Sequence, residues 1–192
     1  MTRMSDSDPI RVDFVDPAAH ALPGRLGLTF APGRSVGGLD DSWDRDLTTD
    51  LGRLRREYDA RVLVTLLERF EMARACIPDL LDAARRAGMK SLWLPIRDGS
   101  TPPEPEDAFP LVREILDHLA AGETVVVHCM GGLGRSGTIA ACALVARGVA
   151  PARAVEEVRV ARPGALESSA QVAFVRSFGD AWRAHERQPS AR

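Results

Sequence analysis

Lysine is almost missing from this 192-residue chain: Lys90 is the single one among 25 basic residues. Tyrosine is as scarce, with Tyr58 alone, and aromatic residues make up only 5% of the chain. Neither sign of charge dominates, since 25 Lys and Arg face 27 Asp and Glu for a net charge of −2. A chain with no basic excess lacks the electrostatic footprint of a nucleic-acid binder. Three cysteines, Cys76, Cys129 and Cys142, are too few and too odd in number for a disulfide framework, so reduced thiols are expected. No apolar run approaches the roughly 20 residues of a membrane span, and the start MTRMSDSDPI has no signal-peptide core. These absences predict a cytoplasmic protein with neither a membrane nor a nucleic-acid partner. What is present, 45% hydrophobic and 27% charged residues, is the balance of a globular protein. The length suits one domain with a full core.

The polar, unpatterned ends predict flexible tails over residues 1–9 and 186–192, around a single domain at 10–185. The stretch APGRSVGGLDDSWDRD is rich in turn formers and reads as a surface loop. From Asp46 to Tyr58 the apolar positions Leu47, Leu51, Leu54 and Tyr58 make one helical stripe. RVLVTLL, from Arg61, is a short apolar run of the kind found in a parallel strand covered on both faces. A helix over Ile77–Ala87, a strand over Ser91–Ile96 cut short at Pro95, a helix over Pro110–Ala121 and a strand over Thr124–His128 follow. Helices from Ser136 to Arg147, from Pro151 to Ala161 and from Ser168 onward complete the chain. This alternation predicts an α/β fold with a mostly parallel central sheet flanked by helices, in which ligands sit at the carboxyl ends of strands.

Cys129 lies at one such end, in TVVVHCMGGLGRSGT. GLGRSG within it matches a dinucleotide-binding loop, which also needs an acidic residue about 20 positions on, at the end of the next strand. Glu156 and Glu157 stand at that distance but within AVEEVRVA, a helical stretch, and no lysine completes a nucleotide-binding P-loop. A third reading is a nucleophile facing an anion. Met130, Gly131, Gly132, Leu133, Gly134 and Arg135 form a loop whose N–H groups, curled by its glycines, make an anion nest at a helix N-terminus. Arg135 adds a planar fork for two phosphate oxygens. Such surroundings favour thiolate over thiol and present a phosphorus atom for in-line displacement. Ser136 is placed to donate to the sulfur, and His128 to brace the loop by hydrogen bonds.

HCMGGLGRSG fits HCxxxxxRS and resembles the active-site loop of dual-specificity and protein-tyrosine phosphatases. Its HCxGGLGRS form looks most like the kinase-associated phosphatases that act on cyclin-dependent kinases, and their bacterial relatives. Gly137 and Thr138 depart from that subgroup and match tyrosine phosphatases generally. A leaving-group acid is expected on a loop near the strand ends, worth about 10² to 10⁴ in rate. Asp98, in LPIRDGSTPPEP, meets that expectation; Asp107 is the alternative. The resemblance also implies Asp98 through PIxDGxxP, and implies through the RPGAIExxxQ-like segment ARPGALESSAQ that Gln171 positions the hydrolytic water. Ser168 and Gln171 equally read as a capping box. Cys142 reads as packing.

The function implied is hydrolysis of phosphotyrosine, with phosphoserine and phosphothreonine, in a phosphorylated protein substrate, with no cofactor and no metal. Three other readings stay open: a phosphomonoesterase acting on phosphoinositides or RNA 5′-phosphates, a non-catalytic phosphate-binding module, and sulfur transfer. The lack of lysine around the loop disfavours a polyanionic substrate, and Asp98 has no place in a simple binder. No aromatic clamp for a phosphotyrosyl ring is visible in the sequence.

Overall fold

A computed structural model describes residues 3–35 and 43–187. In chain order the elements are β1 (Arg3–Met4), β2 (Asp13–Phe14), α1 (Pro17–His20), β3 (Arg25–Thr29), β4 (Trp43–Asp44), α2 (Leu47–Glu57) and β5 (Ala60–Thr65). There follow α3 (Arg69–Arg74), α4 (Leu80–Arg86), β6 (Lys90–Trp93), a 3-10 turn (Pro105–Ala108), α5 (Phe109–Ala120), β7 (Thr124–His128), α6 (Gly134–Ala146), α7 (Pro151–Ala161) and α8 (Ser169–Arg187). Five strands join in the order β2-β3-β7-β5-β6, parallel except for the antiparallel edge strand β2. The expected α/β architecture with a mostly parallel sheet is what the chain adopts.

Side chains alternate across the central strands, as a period of two requires. Val125 and Val127 of β7, with Val62 and Val64 of β5, enter the core built by α5, α6, α7 and α8. Val126 and Leu63 enter the opposite core, with Leu51 and Leu54 of α2 and Leu80 of α4. Sandwiched strands of this kind need apolar residues on both faces, which is why they read as continuous runs. Helix α6 is buried from Gly134 to Val145, enclosed by its neighbours. Its N-terminus therefore opens at the carboxyl end of β7 and nowhere else.

Four strands, β1 to β4, go beyond the sequence expectation. RLGLT of β3 carries a glycine that weakens its strand pattern, and the structure gives the reason: a Cβ on Gly27 would lie 2.3 Å from Val12 Cγ1. The glycine lets the chain of β2 lie across β3. Residues 3–9, expected as a flexible tail, are instead tied down. β1 pairs with β4, the Asp46 N–H donates to Ser5 Oγ at 2.9 Å, and Arg45 Nη1 donates to the Asp8 carbonyl at 2.7 Å. Of the loop expected over residues 31–46, residues 36–42 lie outside the described part of the chain. At the other end α8 runs through Glu186 and Arg187, and the rest of the expected tail, 188–192, also lies outside it. The helix expected from Ile77 begins at Leu80, because Cys76, two residues past the end of α3, is left-handed (φ 59°) and turns the chain first. No helix among the described residues is long and apolar enough to cross a membrane.

Candidate active site

The loop between β7 and α6 is shaped by what happens to its carbonyls. The His128 carbonyl accepts from Leu66 N–H (3.1 Å), that of Cys129 from His128 Nδ1 (3.2 Å), and that of Met130 from Ala31 N–H (3.1 Å). Arg162, just past α7, donates from Nε to the Gly132 carbonyl (2.5 Å) and from Nη2 to the Gly131 carbonyl (3.0 Å), while its Nη1 is held by Asp13 Oδ2 at 2.5 Å. The Leu133 carbonyl accepts from Gly137 and Leu166 N–H groups. With the oxygens so engaged, the N–H groups of Met130 to Arg135 have no protein acceptor among the described residues. They sit at the positive end of α6, the arrangement that binds anions.

The three loop glycines differ in purpose. Gly132 alone is left-handed (φ 73°), and a Cβ there would sit 2.2 Å from the Thr29 carbonyl oxygen, so only glycine fits. Gly134 makes room for Gln171 and Glu167, whose Nε2 and Oε2 would lie 2.7 and 2.5 Å from an added Cβ. Gly131 is under neither constraint, contrary to the expectation that all three glycines serve the curl.

Cys129 is buried, with Sγ 3.6 Å from Ser136 Oγ. Arg135, also buried, is held by a residue the sequence reading missed. Its Nη1 donates to Glu71 Oε2 (2.7 Å) and the Ile96 carbonyl (2.8 Å), and its Nη2 donates to Glu71 Oε1 (2.9 Å). Burial acts to lower the guanidinium's pKa, but Glu71 and the charges of Cys129 and Asp98 outweigh it and hold it above its ordinary value. Glu71 is itself fixed by the Glu68 N–H at 2.9 Å in the capping box of α3. Nothing local distinguishes it from a solvated helix acid; only the approach of α3 to α6 does.

Asp98 Oδ1 lies 2.8 Å from Arg135 Nη2, with its side chain 78% exposed. It is carried there by the chain leaving β6, which ends at Trp93, before Pro95 as expected, and which stays tied to the end of β5 through Leu94 N–H to the Thr65 carbonyl and Ile96 N–H to that of Leu66. Asp107 accepts instead from Glu104 N–H at 3.0 Å and caps the 3-10 turn. Gln171 and Ser168 form the expected reciprocal cap: Ser168 N–H donates to Gln171 Oε1 (3.3 Å) and Gln171 N–H to Ser168 Oγ (3.2 Å). Cys142 lies within α6, where burial pushes its thiol up.

His128 is fully buried between two partners. Nδ1–H donates to the Cys129 carbonyl, so Nε2 accepts from Thr65 Oγ1–H at 2.8 Å. Burial, helped by the charge of Arg135 and opposed by the Cys129 hydrogen bond, pushes its pKa down to about 4 from 6.5. The unfolded chain therefore takes up this proton first as pH falls. The contribution to stability is whole above about 6.5 and is lost as pH falls through about 4, a change of roughly 3 kcal/mol. His20, pushed down by burial first and by Arg147 second, acts with the same sign. Urea unfolding from about pH 7.5 to about 4.5 should show this loss, and His128→Gln should flatten it.

A sheet-end cysteine, a ring of amides and a buried arginine on the following helix come together at the carboxyl end of β7. The family model described as Swiss Army Knife protein, DSP-PTPase phosphatase domain, matches residues 47–192, and the chain belongs to that dual-specificity and tyrosine phosphatase family. The human protein named cyclin-dependent kinase inhibitor 3 is 32% identical over 183 residues, covering 94% of this chain and 84% of the relative. The crystal structure of kinase associated phosphatase with its catalytic-site cysteine changed to serine superposes with a TM-score of 0.82 at 26% identity, over 92% of this chain and 97% of that one. An Arabidopsis thaliana protein named phosphatidylglycerophosphate phosphatase PTPMT2 is 33% identical over 117 residues, 60% of this chain and 49% of the relative.

Proposed function

We propose that the chain is a protein phosphatase that hydrolyses phosphotyrosine, and phosphoserine and phosphothreonine, through a cysteinyl-phosphate on Cys129. The observation that carries this reading is Cys129 Sγ at the mouth of a helix N-terminus, with Arg135 and Asp98 converging on the same loop. The substrate phosphate takes the amides of Met130 to Arg135. For Arg135 to offer Nη2 as well as Nε, Asp98 swings off the guanidinium and towards the leaving oxygen. Sγ attacks phosphorus, the bond to the leaving oxygen breaks, and protonated Asp98 supplies the proton that oxygen needs. Water then attacks phosphorus, its proton passes to Asp98, and the sulfur departs with its electron pair, eased by Ser136 Oγ–H. Gln171, beside Gly134, orients that water. His128, neutral at pH 7 and held on both ring nitrogens, braces the loop and takes no proton.

Phe70, 56% exposed on α3, lines a cavity together with Met130 and Asp98, and it is the aromatic side chain offered to a substrate ring that the sequence did not reveal. It favours an aryl ester. The relative named for phosphatidylglycerophosphate supports a second reading, a lipid phosphomonoesterase, against which the absence of lysine near the loop weighs. Hydrolysis of para-nitrophenyl phosphate tests the enzyme, with Cys129→Ser expected to be inactive; comparison of phosphotyrosyl peptides with phospholipid micelles separates the two readings. Retained hydrolysis by the serine variant removes Cys129 as nucleophile.

A further inference from the structure

We propose that Arg162, locked in place by Asp13, is a positioning residue for phosphoryl transfer, acting from behind the catalytic loop by turning the loop's amides onto the substrate phosphate. The inference rests on the reading of Cys129 as the phosphoryl acceptor and adds to that chemistry a residue outside the phosphate seat. In a trans peptide the C=O and N–H point opposite ways, so an oxygen pinned on one side aims its N–H at the other. No peptide bond among the described residues is cis. Arg162 Nε and Nη2 hold the carbonyls of Gly132 and Gly131, whose peptides carry the N–H groups of Leu133 and Gly132. Leu166 N–H, four residues on, holds the Leu133 carbonyl at 3.3 Å, and that peptide carries the N–H of Gly134. Three consecutive amides of the anion nest are thus aimed by one segment, residues 162–166. The guanidinium also polarises two of these peptides, which makes their N–H groups stronger donors.

Each nitrogen of Arg162 is engaged, two by the loop and Nη1 by Asp13 Oδ2, so its effect on the reaction passes through the loop. The segment around it is built to keep it there. Arg162 closes α7, its N–H donating to the Val158 carbonyl at 2.8 Å, at a helix end where a cation is favoured. Ala165 N–H returns to the Arg162 carbonyl at 3.1 Å, and Arg159 ties down the carbonyls of Ala165 (3.0 Å) and Leu166 (2.9 Å). Leu166 is left-handed (φ 54°), a conformation that a leucine keeps only where its surroundings impose it. Opposite stands Asp13 on β2, opposite Leu28 of β3. The close seating of that chain on Gly27 brings the carboxylate to the loop and gives the short edge strand a task beyond closing the sheet. Arg162 and Asp13, with side chains 15% and 40% exposed, both line a cavity of about 520 Å³, through which a small cation can reach the place of the guanidinium.

Arg162→Met keeps the apolar stem of the side chain and removes its donors. In this variant kcat on para-nitrophenyl phosphate should fall by roughly 100-fold, the cost of one lost oxyanion donor. Vanadate, which takes the five-coordinate shape of the transition state on the sulfur, should bind about 100-fold more weakly, and inorganic phosphate only about threefold. That split is the readout, since loosened packing weakens both anions alike. Asp13→Asn carries the same test where the arginine variant does not fold. It should lose about fivefold in kcat, weaken vanadate more than phosphate, and add nothing in the Arg162→Met background, because it acts through the arginine. Added methylguanidinium should restore part of the turnover of Arg162→Ala, and tetramethylammonium at the same concentration should not. A kcat within about threefold of the parent protein in Arg162→Met, equal weakening of vanadate and phosphate, or additive losses for the two substitutions would overturn the assignment and leave the phosphatase reading intact. A parent protein that binds vanadate and hydrolyses no para-nitrophenyl phosphate would instead remove the phosphatase reading, and the anion ratio would still judge Arg162.

Discussion

Glu71→Ala is expected to destabilise the protein by about 3 kcal/mol or more and to remove most of its turnover. The guanidinium of Arg135 and the carboxylate of Glu71 are 1% and 8% exposed, so truncation strands a positive charge that water cannot reach. Two of its nitrogens lose an acceptor and keep only the Ile96 carbonyl and Asp98. The same carboxylate caps α3 through Glu68 N–H, and that loss adds on the order of 1 kcal/mol. Activity falls with stability because the freed guanidinium no longer has one orientation towards the phosphate. Glu71→Gln separates the two effects. It keeps the shape and half of the acceptors, so it should fold nearly as well and still bind oxyanions more weakly. Urea unfolding with para-nitrophenyl phosphate kinetics reads both, and an alanine variant within about 1 kcal/mol of the parent protein would contradict the role given to the pair.

The second large effect concerns the proton. Asp98→Ala should slow hydrolysis of an alkyl or plain phenyl phosphate by about 10² to 10⁴, and of a nitrophenyl ester far less, because a good leaving group departs without a donor. Tungstate should bind the variant at least as well as the parent protein. Asp98 in the resting state lies against Arg135 Nη2, where an oxyanion must go, so its removal clears the seat. Equal losses with both leaving groups would move the acid elsewhere. Asp107 is a poor candidate on geometry, since its carboxylate already satisfies Glu104 N–H.

Much of this site could be read before any coordinates, and the reasons are local. A strand buried on both faces, glycines at fixed offsets and an arginine six positions past a cysteine are properties of one contiguous stretch, so β7, α6 and the loop between them follow from the residues in order. Asp98 was legible because it follows a strand, in a Gly and Pro run. Gln171 was legible as a cap because Ser168 stands three residues before it. What escaped has meaning only across the fold. Glu71 is one acid on a polar helix until α3 is laid against Arg135. Arg162, though inside a segment noted for its glutamine, clamps the carbonyls of Gly131 and Gly132 from 30 residues away in the chain. The Arg45 and Asp50 pair reads as two surface charges until residues 31–35 and 43–46 close over it. β3 was hidden by Gly27, whose missing side chain is explained by an edge strand two residues long.

The central claim is that Cys129 accepts the phosphoryl group, and trapping that adduct tests it most directly. The protein is mixed with a fast-leaving aryl phosphate, quenched in acid within the first turnovers, digested and examined by mass spectrometry. The account predicts one phosphoryl group per chain, on the peptide containing Cys129, absent from Cys129→Ser and from a chase with cold water and no substrate. Phosphate on His128 instead, or full turnover with no phosphoryl group on any residue, would contradict it.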